Sequence, residues 1–255
     1  MPEPRPYYSD KGLSAAFYDL ITAQDASLAG DVELYASLAP AGGSVLELGT
    51  GTGRVAFALA EKGLSVLGLD IAPSMLAQAQ TKHALRGPDL AARIRFRRGD
   101  MTALQLDESF DLVICPFFGL AHLPAGAAWR NVFTGVAGAL KPGGKAAFHL
   151  PRAESLAGPA PPRERAVLQV SVDDAGRRLS IFVHERKAKA AIGRFDQVVD
   201  YVLTDARGRE ERRSRERLTY YVADPRPFAE AAGLRLEGAP TPLGGVGEVH
   251  VFAKP

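Results

Sequence analysis

The 255-residue sequence has one cysteine, Cys115. No internal disulfide can form, and none is needed, because folding a chain of this length buries about 70–75% of its unfolded surface. A single thiol suits a reducing compartment. Long apolar runs are also missing. No uninterrupted apolar segment approaches the roughly 20 residues of a membrane span. The first eight residues, Met-Pro-Glu-Pro-Arg-Pro-Tyr-Tyr, lack the apolar stretch of a secretion signal. A cytoplasmic protein with no membrane partner is expected. Net charge is only +2, too small for a nucleic-acid footprint, so no nucleic-acid partner is expected. Five histidines and one cysteine show no metal-ligand spacing, and no metal is expected.

Glycine is placed where it matters most between Val45 and Ala56. Val45 to Leu48 is a short apolar run broken by one acid, Glu47. Gly49, Gly51 and Gly53 follow at alternate positions, and a helical pattern starts at Arg54. The reading is strand, tight turn, helix, with free helix N–H groups aimed at a ligand on the strand end. A dinucleotide fingerprint needs glycines at relative positions 1, 3 and 6. Here they stand at 1, 3 and 5, with Arg54 at the sixth position. Glu47 disfavours a pyrophosphate and tolerates a sulfonium or an ammonium group.

Strand and helix patterns then alternate. Leu64 to Asp70 reads as a strand, Pro73 to Lys82 as a helix, and Arg93 to Arg98 as a strand running into Gly99-Asp100-Met101. Phe110 to Cys115 is a fourth strand, Ala127 to Leu140 a helix, Lys141 to Gly144 a turn and Lys145 to Leu150 a fifth strand. Such alternation implies a parallel sheet with right-handed crossovers. Before it, the pattern is helical from Ser14 and again over Asp31–Leu38, with Asp31 as N-cap. After Pro151 the period changes to two over 166–173, 178–186, 195–204 and 210–221, with hairpin signals at 174–176 and 206–208. The expected organisation is N-terminal helices or a lid over 1–40, a core over 41–151, an inserted antiparallel sheet over 152–222, and a return to the core sheet over 223–255.

The acids at the strand ends define a ligand. Asp70 can accept both ribose hydroxyls of a nucleoside. Asp100 can accept the exocyclic amine of an adenine while the Met101 N–H meets a ring nitrogen. Ile71 and Met75 can sandwich the base. An Asp at a strand end is also a common turn residue or cap, so the weight lies in the series, not in any one acid.

With these residues in hand, the chain resembles the class I S-adenosylmethionine-dependent methyltransferases. The likeness rests on Glu47-Leu-Gly-Thr-Gly-Thr-Gly-Arg, Gly68-Leu-Asp70-Ile-Ala-Pro-Ser-Met-Leu, Gly99-Asp100-Met101, Phe110-Asp-Leu-Val-Ile-Cys and Lys141-Pro-Gly-Gly, and covers residues 15–150. It implies an α/β fold: a seven-stranded, mostly parallel Rossmann-like sheet flanked by helices, its last strand antiparallel. The insert lies between strand 5 and the last helix. It implies S-adenosylmethionine as cofactor, with Gly49, Gly51 and Arg54 around the methionine part, Asp70 at the ribose, and Asp100 and Met101 at the adenine. Glu47, Thr50, Gly53, Gly99 and Pro116 complete the expected cofactor site. Tyr18 matches an N-terminal tyrosine that many members close over the cofactor; a helix-core tyrosine is the alternative.

Cys115-Pro-Phe-Phe-Gly-Leu-Ala-His122-Leu123 is similar to a stretch in bacterial N-methyltransferases acting on amino groups of nucleotide-linked sugars. Those proteins also carry an antiparallel insert. The insert here is more basic, so the sugar substrate is not carried over. His122 is the candidate general base, since an unperturbed imidazole titrates near pH ~6.5; capping the following helix is its alternative role. Phe117, Phe118, His122 and Tyr220 are the candidate acceptor contacts. The expected reaction is methyl transfer to an amine or hydroxyl of a small molecule. A same-fold enzyme acting on tRNA or protein, a non-catalytic S-adenosylmethionine-binding protein and a nicotinamide oxidoreductase are the competing readings, the last disfavoured by Arg54. The inserted sheet is expected to serve as a lid or as a homodimer surface.

Overall fold

The alternation read from the sequence is present in the computed structural model, which describes residues 3–7, 9 and 11–255. Met1, Pro2, Tyr8 and Asp10, within the expected N-terminal lid, lie outside the described residues. Along the chain come strand β1 (Arg5–Pro6) and helices α1 (Leu13–Ala16), α2 (Tyr18–Thr22) and α3 (Asp31–Leu38). The core run is β2 (Ser44–Leu48), α4 (Arg54–Glu61), β3 (Ser65–Asp70), α5 (Pro73–Ala84), α6 (Pro88–Ala91), β4 (Ile94–Arg98), β5 (Phe110–Cys115), α7 (Ala127–Ala139) and β6 (Leu140–Pro151). Then follow α8 (Ala153–Ala157), β7 (Leu168–Ser171), β8 (Arg178–Lys189), β9 (Arg194–Thr204) and β10 (Glu210–Tyr221). The chain closes with α9 (Arg226–Ala231), β11 (Arg235–Leu236), β12 (Thr241–Leu243) and β13 (Gly247–Ala253). No helix of the described residues is long and apolar enough to cross a membrane.

These elements form two units. The first joins residues up to Ala26 to Ala153–Tyr221; the second joins Ser27–Arg152 to Val222–Pro255.

The second unit is built on a mixed sheet of strand order β11-β13-β6-β5-β2-β3-β4, with β12 paired to β13. Strands β4, β3, β2, β5 and β6 are parallel, and β13 runs antiparallel to β6. Parallel strands covered on both faces need continuous apolar runs, which Leu112–Cys115 of β5 supplies, while the run of β2 is broken by Glu47. Val45, Val66, Leu112 and Ile114 pack under α3 and α4. Phe133, Phe148 and Phe252 interlock, with ring centroids 4.6–6.3 Å apart. The sheet has eight strands instead of the expected seven, because Thr241–Leu243 adds a short edge strand to β13.

Two local readings are corrected. The Lys141–Gly144 turn is absorbed into β6, which starts at Leu140; Gly143 takes positive φ (74°) and its N–H donates to Lys254 O. Asp31 does not cap α3. Gly30, at φ 84°, is the N-cap, and the Asp31 carboxylate binds Arg54 instead.

At the end of the strands away from the ligand edge, Asp111 ties three strands together. Its Oδ2 accepts from Ser44 N, Ser44 Oγ and Lys141 Nζ, each at 2.8 Å. The Lys141 hydrogen bond, followed by the Ser44 N–H, holds its carboxyl down at about 2. Since this folded-state value lies below the unfolded one, the stabilisation is complete above pH ~4 and is lost as pH falls through about 2. Asp111→Ala is expected to reduce stability by about 1–2 kcal/mol at pH 7, an amount discounted for the exposure of Lys141. Urea unfolding at pH 7 and pH 3 checks this. An equal loss at both pH values would refute the assignment.

The first unit is a five-stranded sheet of order β1-β10-β9-β8-β7, antiparallel except for β1 beside β10. The helical pattern from Ser14 is divided at Phe17 into α1 and α2. Leu13, Phe17, Leu20 and Ile21 pack on Leu179, Val199, Tyr201 and Leu218 of the sheet. Buried Glu216 fixes the start of α1. It accepts from Ser14 N (3.2 Å), Ser14 Oγ and Ser214 Oγ (2.6 Å), while Ser214 Oγ accepts from Leu13 N (3.0 Å). The segment expected as one N-terminal domain over 1–40 is therefore divided, with residues before Ser27 joining the insert. Three of the six arginines in the run 207–217 pair within their own hairpin, through Arg209–Asp205, Arg213–Glu210 and Arg215–Asp200.

Candidate functional site

The turn after β2 is held in place by the end of β3. Thr50 N–H donates to Leu69 O at 2.9 Å, and Gly51 N–H donates to Asp70 Oδ2 at 2.7 Å. Gly49, Gly51 and Gly53 have φ of 71°, 57° and 83°, values that an L side chain adopts only with strain. Gly53 meets a second requirement. A Cβ there would stand 2.7 Å from the Phe96 ring and 2.9 Å from the Phe57 ring.

Asp70 is oriented from both sides. Its Oδ1 accepts from Ala72 N at 2.8 Å while Oδ2 serves Gly51. Burial raises its pKa, and these backbone N–H groups pull it back. Asp100 caps the short 3₁₀ turn Met101–Ala103: its Oδ1 accepts from Thr102 N and Thr102 Oγ1, both at 2.8 Å. The cap role weighed from the sequence is thus present, and it uses one of the two carboxylate oxygens.

Gly49, Leu69, Asp70, Ile71, Gly99, Asp100, Met101 and Leu123 line one cavity of about 90 Å³ at the strand ends. Six of these residues were expected at the cofactor. Ile71 stands 61% exposed, available to a flat ring. Met75, expected opposite Ile71, is buried with Leu76 and Ala79 on the sheet-facing stripe of α5. Leu123 lines the cavity in its place. The signal for Leu123 was its position beside His122; that for Leu69 was its place before Asp70 in the strand.

Glu47, Thr50 and Arg54 lie behind the turn. Glu47 is buried and accepts from Thr50 Oγ1 at 2.8 Å. Burial pushes its carboxyl up to about 8, against the Thr50 hydrogen bond and the charge of Arg54. Arg54 makes a two-pronged pair with Asp31, at 3.1 and 2.5 Å. Nothing in the sequence marked that pair.

The raised value of Glu47 has a stability consequence. Its folded pKa exceeds the unfolded value of 4.5, so the folded chain holds the proton more tightly and stability falls as pH rises from about 4.5 to 8. Glu47→Gln keeps the shape without the titration. Relative to wild type it is expected to gain stability with rising pH, by about 4 kcal/mol at pH 7.5. Urea unfolding across pH 4.5–8.5 reads this directly. A difference that does not change with pH refutes it.

After β5 the chain turns sharply. Phe117 and Phe118 have φ of 46° and 63°, a backbone that costs about 1–3 kcal/mol per non-glycine residue. Gly119 N–H donates to Pro116 O at 3.1 Å. Pro116 is thereby the first residue of a tight turn and is buried. Phe118, expected at the acceptor, is 8% exposed with its ring 4.4 Å from that of His149. Phe117 keeps partial exposure. His122 ends the 3₁₀ turn Gly119–His122, half-buried, one residue before cavity-lining Leu123. Tyr18 and Tyr220 belong to the first unit. Cys115 is buried, and its thiol is pushed up to about 12 by that burial, which makes it a poor nucleophile. His184 stands 3.9 Å from Asp200, and His250 pairs with Glu248 at 3.0 Å. Among the described residues, no group of three or more His, Cys, Asp and Glu is placed to hold a metal ion.

Residues 45–144 match the family described as a methyltransferase domain. Over 105 residues the chain is 34% identical to the ribosomal protein L11 methyltransferase of Thermus thermophilus, which covers 41% of this chain and 37% of that protein. The chain spans less than half the length of the first curated relatives it matches. The CcbJ methyltransferase from Streptomyces caelestis shares the fold with a TM-score of 0.71 and 22% identity, over 98% of this chain and 99% of that one. CalS10 from Micromonospora echinaspora, an amino pentose methyltransferase solved with S-adenosylmethionine bound, gives a TM-score of 0.65 and 23% identity, over 96% and 97%.

Proposed function

We propose that this chain, whose residues 45–144 are a methyltransferase domain, transfers the methyl group of S-adenosylmethionine to an amine or hydroxyl of a small molecule. One observation carries the reading. A single cavity joins Gly49, Asp70, Asp100 and Met101 at the ends of three consecutive core strands.

The residues present fit this cofactor. Asp70 offers a carboxylate already aimed by two backbone N–H groups, as a pair of ribose hydroxyls requires. Asp100 keeps its Oδ2 outside the cap contacts, for an adenine amine. Ile71 and Leu123 give the base two apolar walls. Bound there, the cofactor supplies a methyl already activated on a sulfonium. The protein's main task is then alignment, which is worth roughly 7–11 kcal/mol when the reacting atoms are held in line. Phe117 presents an aromatic edge to the acceptor, and His122 takes the proton that a nitrogen or oxygen nucleophile must lose. The amino sugar acted on by CalS10, whose fold matches nearly the whole chain, supports a compact acceptor.

Calorimetric titration with S-adenosylmethionine, its demethylated product and NAD(H) tests the cofactor. Binding of NAD(H) alone overturns the reading. Transfer of an isotope-labelled methyl group into metabolite and RNA pools then tests the acceptor class, and label confined to RNA or protein overturns the small-molecule assignment.

A further inference from the structure

The turn after β5 has an unusual backbone and leads, five residues after Phe118, to cavity-lining Leu123. Among the described residues, Phe117 and Phe118 are the only non-glycine ones with positive φ, and they are adjacent. With Gly119 N–H donating to Pro116 O, they are the central pair of a turn whose φ signs ordinarily call for Asn or Gly. Two phenylalanines in such a turn persist only if their surroundings hold them.

The holding group is His149. It lies on β6, beside the strand that leads into the turn. It is wholly buried, and its ring centroid is 4.4 Å from that of Phe118. Gly247 makes room for the pair: a Cβ there would stand 2.6 Å from both His149 Nε2 and Phe118 Cε1. The backbone after Phe118 is tied to it, since Ala121 N–H donates to Phe118 O at 2.9 Å. His122 is the next residue.

The geometry points to His149 as a positioning residue: its ring clamps Phe118 in the left-handed turn and so sets where His122 stands. The catalytic half of this inference rests on His122 being the base of the proposed reaction, and the structural half does not. The inference assigns His149 no proton transfer; it is wholly buried and acts through Phe118.

Three variants of the full chain test it: His149→Ala, His149→Phe and Phe118→Ala. Hydrogen exchange at the Gly119 and Ala121 amides is expected to speed up at least ~10-fold in His149→Ala and in Phe118→Ala, and to return to within about threefold of wild type in His149→Phe. In the methyl-transfer assay, kcat is expected to fall at least ~10-fold in His149→Ala, with the Kd for S-adenosylmethionine within about twofold, and to recover in His149→Phe. Unchanged exchange in His149→Ala overturns the clamp. So does fast exchange in His149→Phe, because ring packing is then not what holds the turn. If His149→Ala does not fold, Phe118→Ala reads the same contact from the loop side. A wild-type chain that transfers no methyl group overturns the proposed function, while the exchange data still decide the clamp.

Discussion

Replacing Asp70 by alanine is expected to raise the dissociation constant for S-adenosylmethionine about 30–100-fold, or about 2–3 kcal/mol. The side chain acts twice. In the proposed reading it offers charge to two ribose hydroxyls, and in the structure it holds the glycine turn through Gly51 N at 2.7 Å and the start of α5 through Ala72 N at 2.8 Å. Asp70→Asn separates the two effects. It is nearly isosteric, yet it has one acceptor oxygen for two backbone N–H groups, so it is expected to lose nearly as much affinity. Burial keeps the Asp70 pKa above the ordinary aspartate value. Affinity is therefore expected to weaken on acidification earlier than it does for an exposed carboxylate. Calorimetry at several pH values measures this, with unfolding of the ligand-free protein as the control for stability. A Kd for Asp70→Ala within twofold of wild type removes Asp70 from the site.

The residues that line the strand-end cavity were legible because they follow local signals. Positive-φ glycines, an acid closing one strand and Gly99-Asp100 closing the next are readable one element at a time. The parallel sheet then brings them together without further information. Met75 shows the limit of such reading. Its spacing from Ile71 fits a sandwich, but it is buried with Leu76 and Ala79 on α5 and does not line the cavity, and which side of a helix is buried is set by packing. The Asp31–Arg54 pair was invisible for a related reason: it joins two helices 23 residues apart, and sequence gave Asp31 a more ordinary use as a cap. The division of the N-terminal segment depends on Glu216, 202 residues from Ser14. A buried carboxylate amid the charged run of β10 carries no local mark distinguishing it from its exposed neighbours. The loop after β5 was legible as a motif only. That Phe117 and Phe118 take left-handed backbone contradicts their propensity, and such local conflict is expected where function is supported by contacts elsewhere in the fold.

The acceptor side carries the larger expected effect. His122→Ala is expected to lower kcat for methyl transfer about 10²–10⁴-fold and to leave the Kd for S-adenosylmethionine within about twofold. The separation follows from placement. Leu123 lines the strand-end cavity and His122 does not, so loss of the imidazole leaves the cavity wall in place. Residual turnover is expected, because alignment by the remaining pocket supplies barrier reduction that does not pass through a base. The pH profile distinguishes a base from a spacer. Wild-type kcat is expected to rise with pH through the titration of an imidazole. That limb is expected to vanish in His122→Ala and in His122→Gln, although glutamine can still accept a hydrogen bond. A glutamine variant that restores both rate and pH limb assigns His122 to orientation of the acceptor, and an alanine variant with unchanged kcat removes it from the reaction altogether. Loss of rate with the limb intact places the proton on another group, and the acceptor's own amine is then the group whose titration the profile reports.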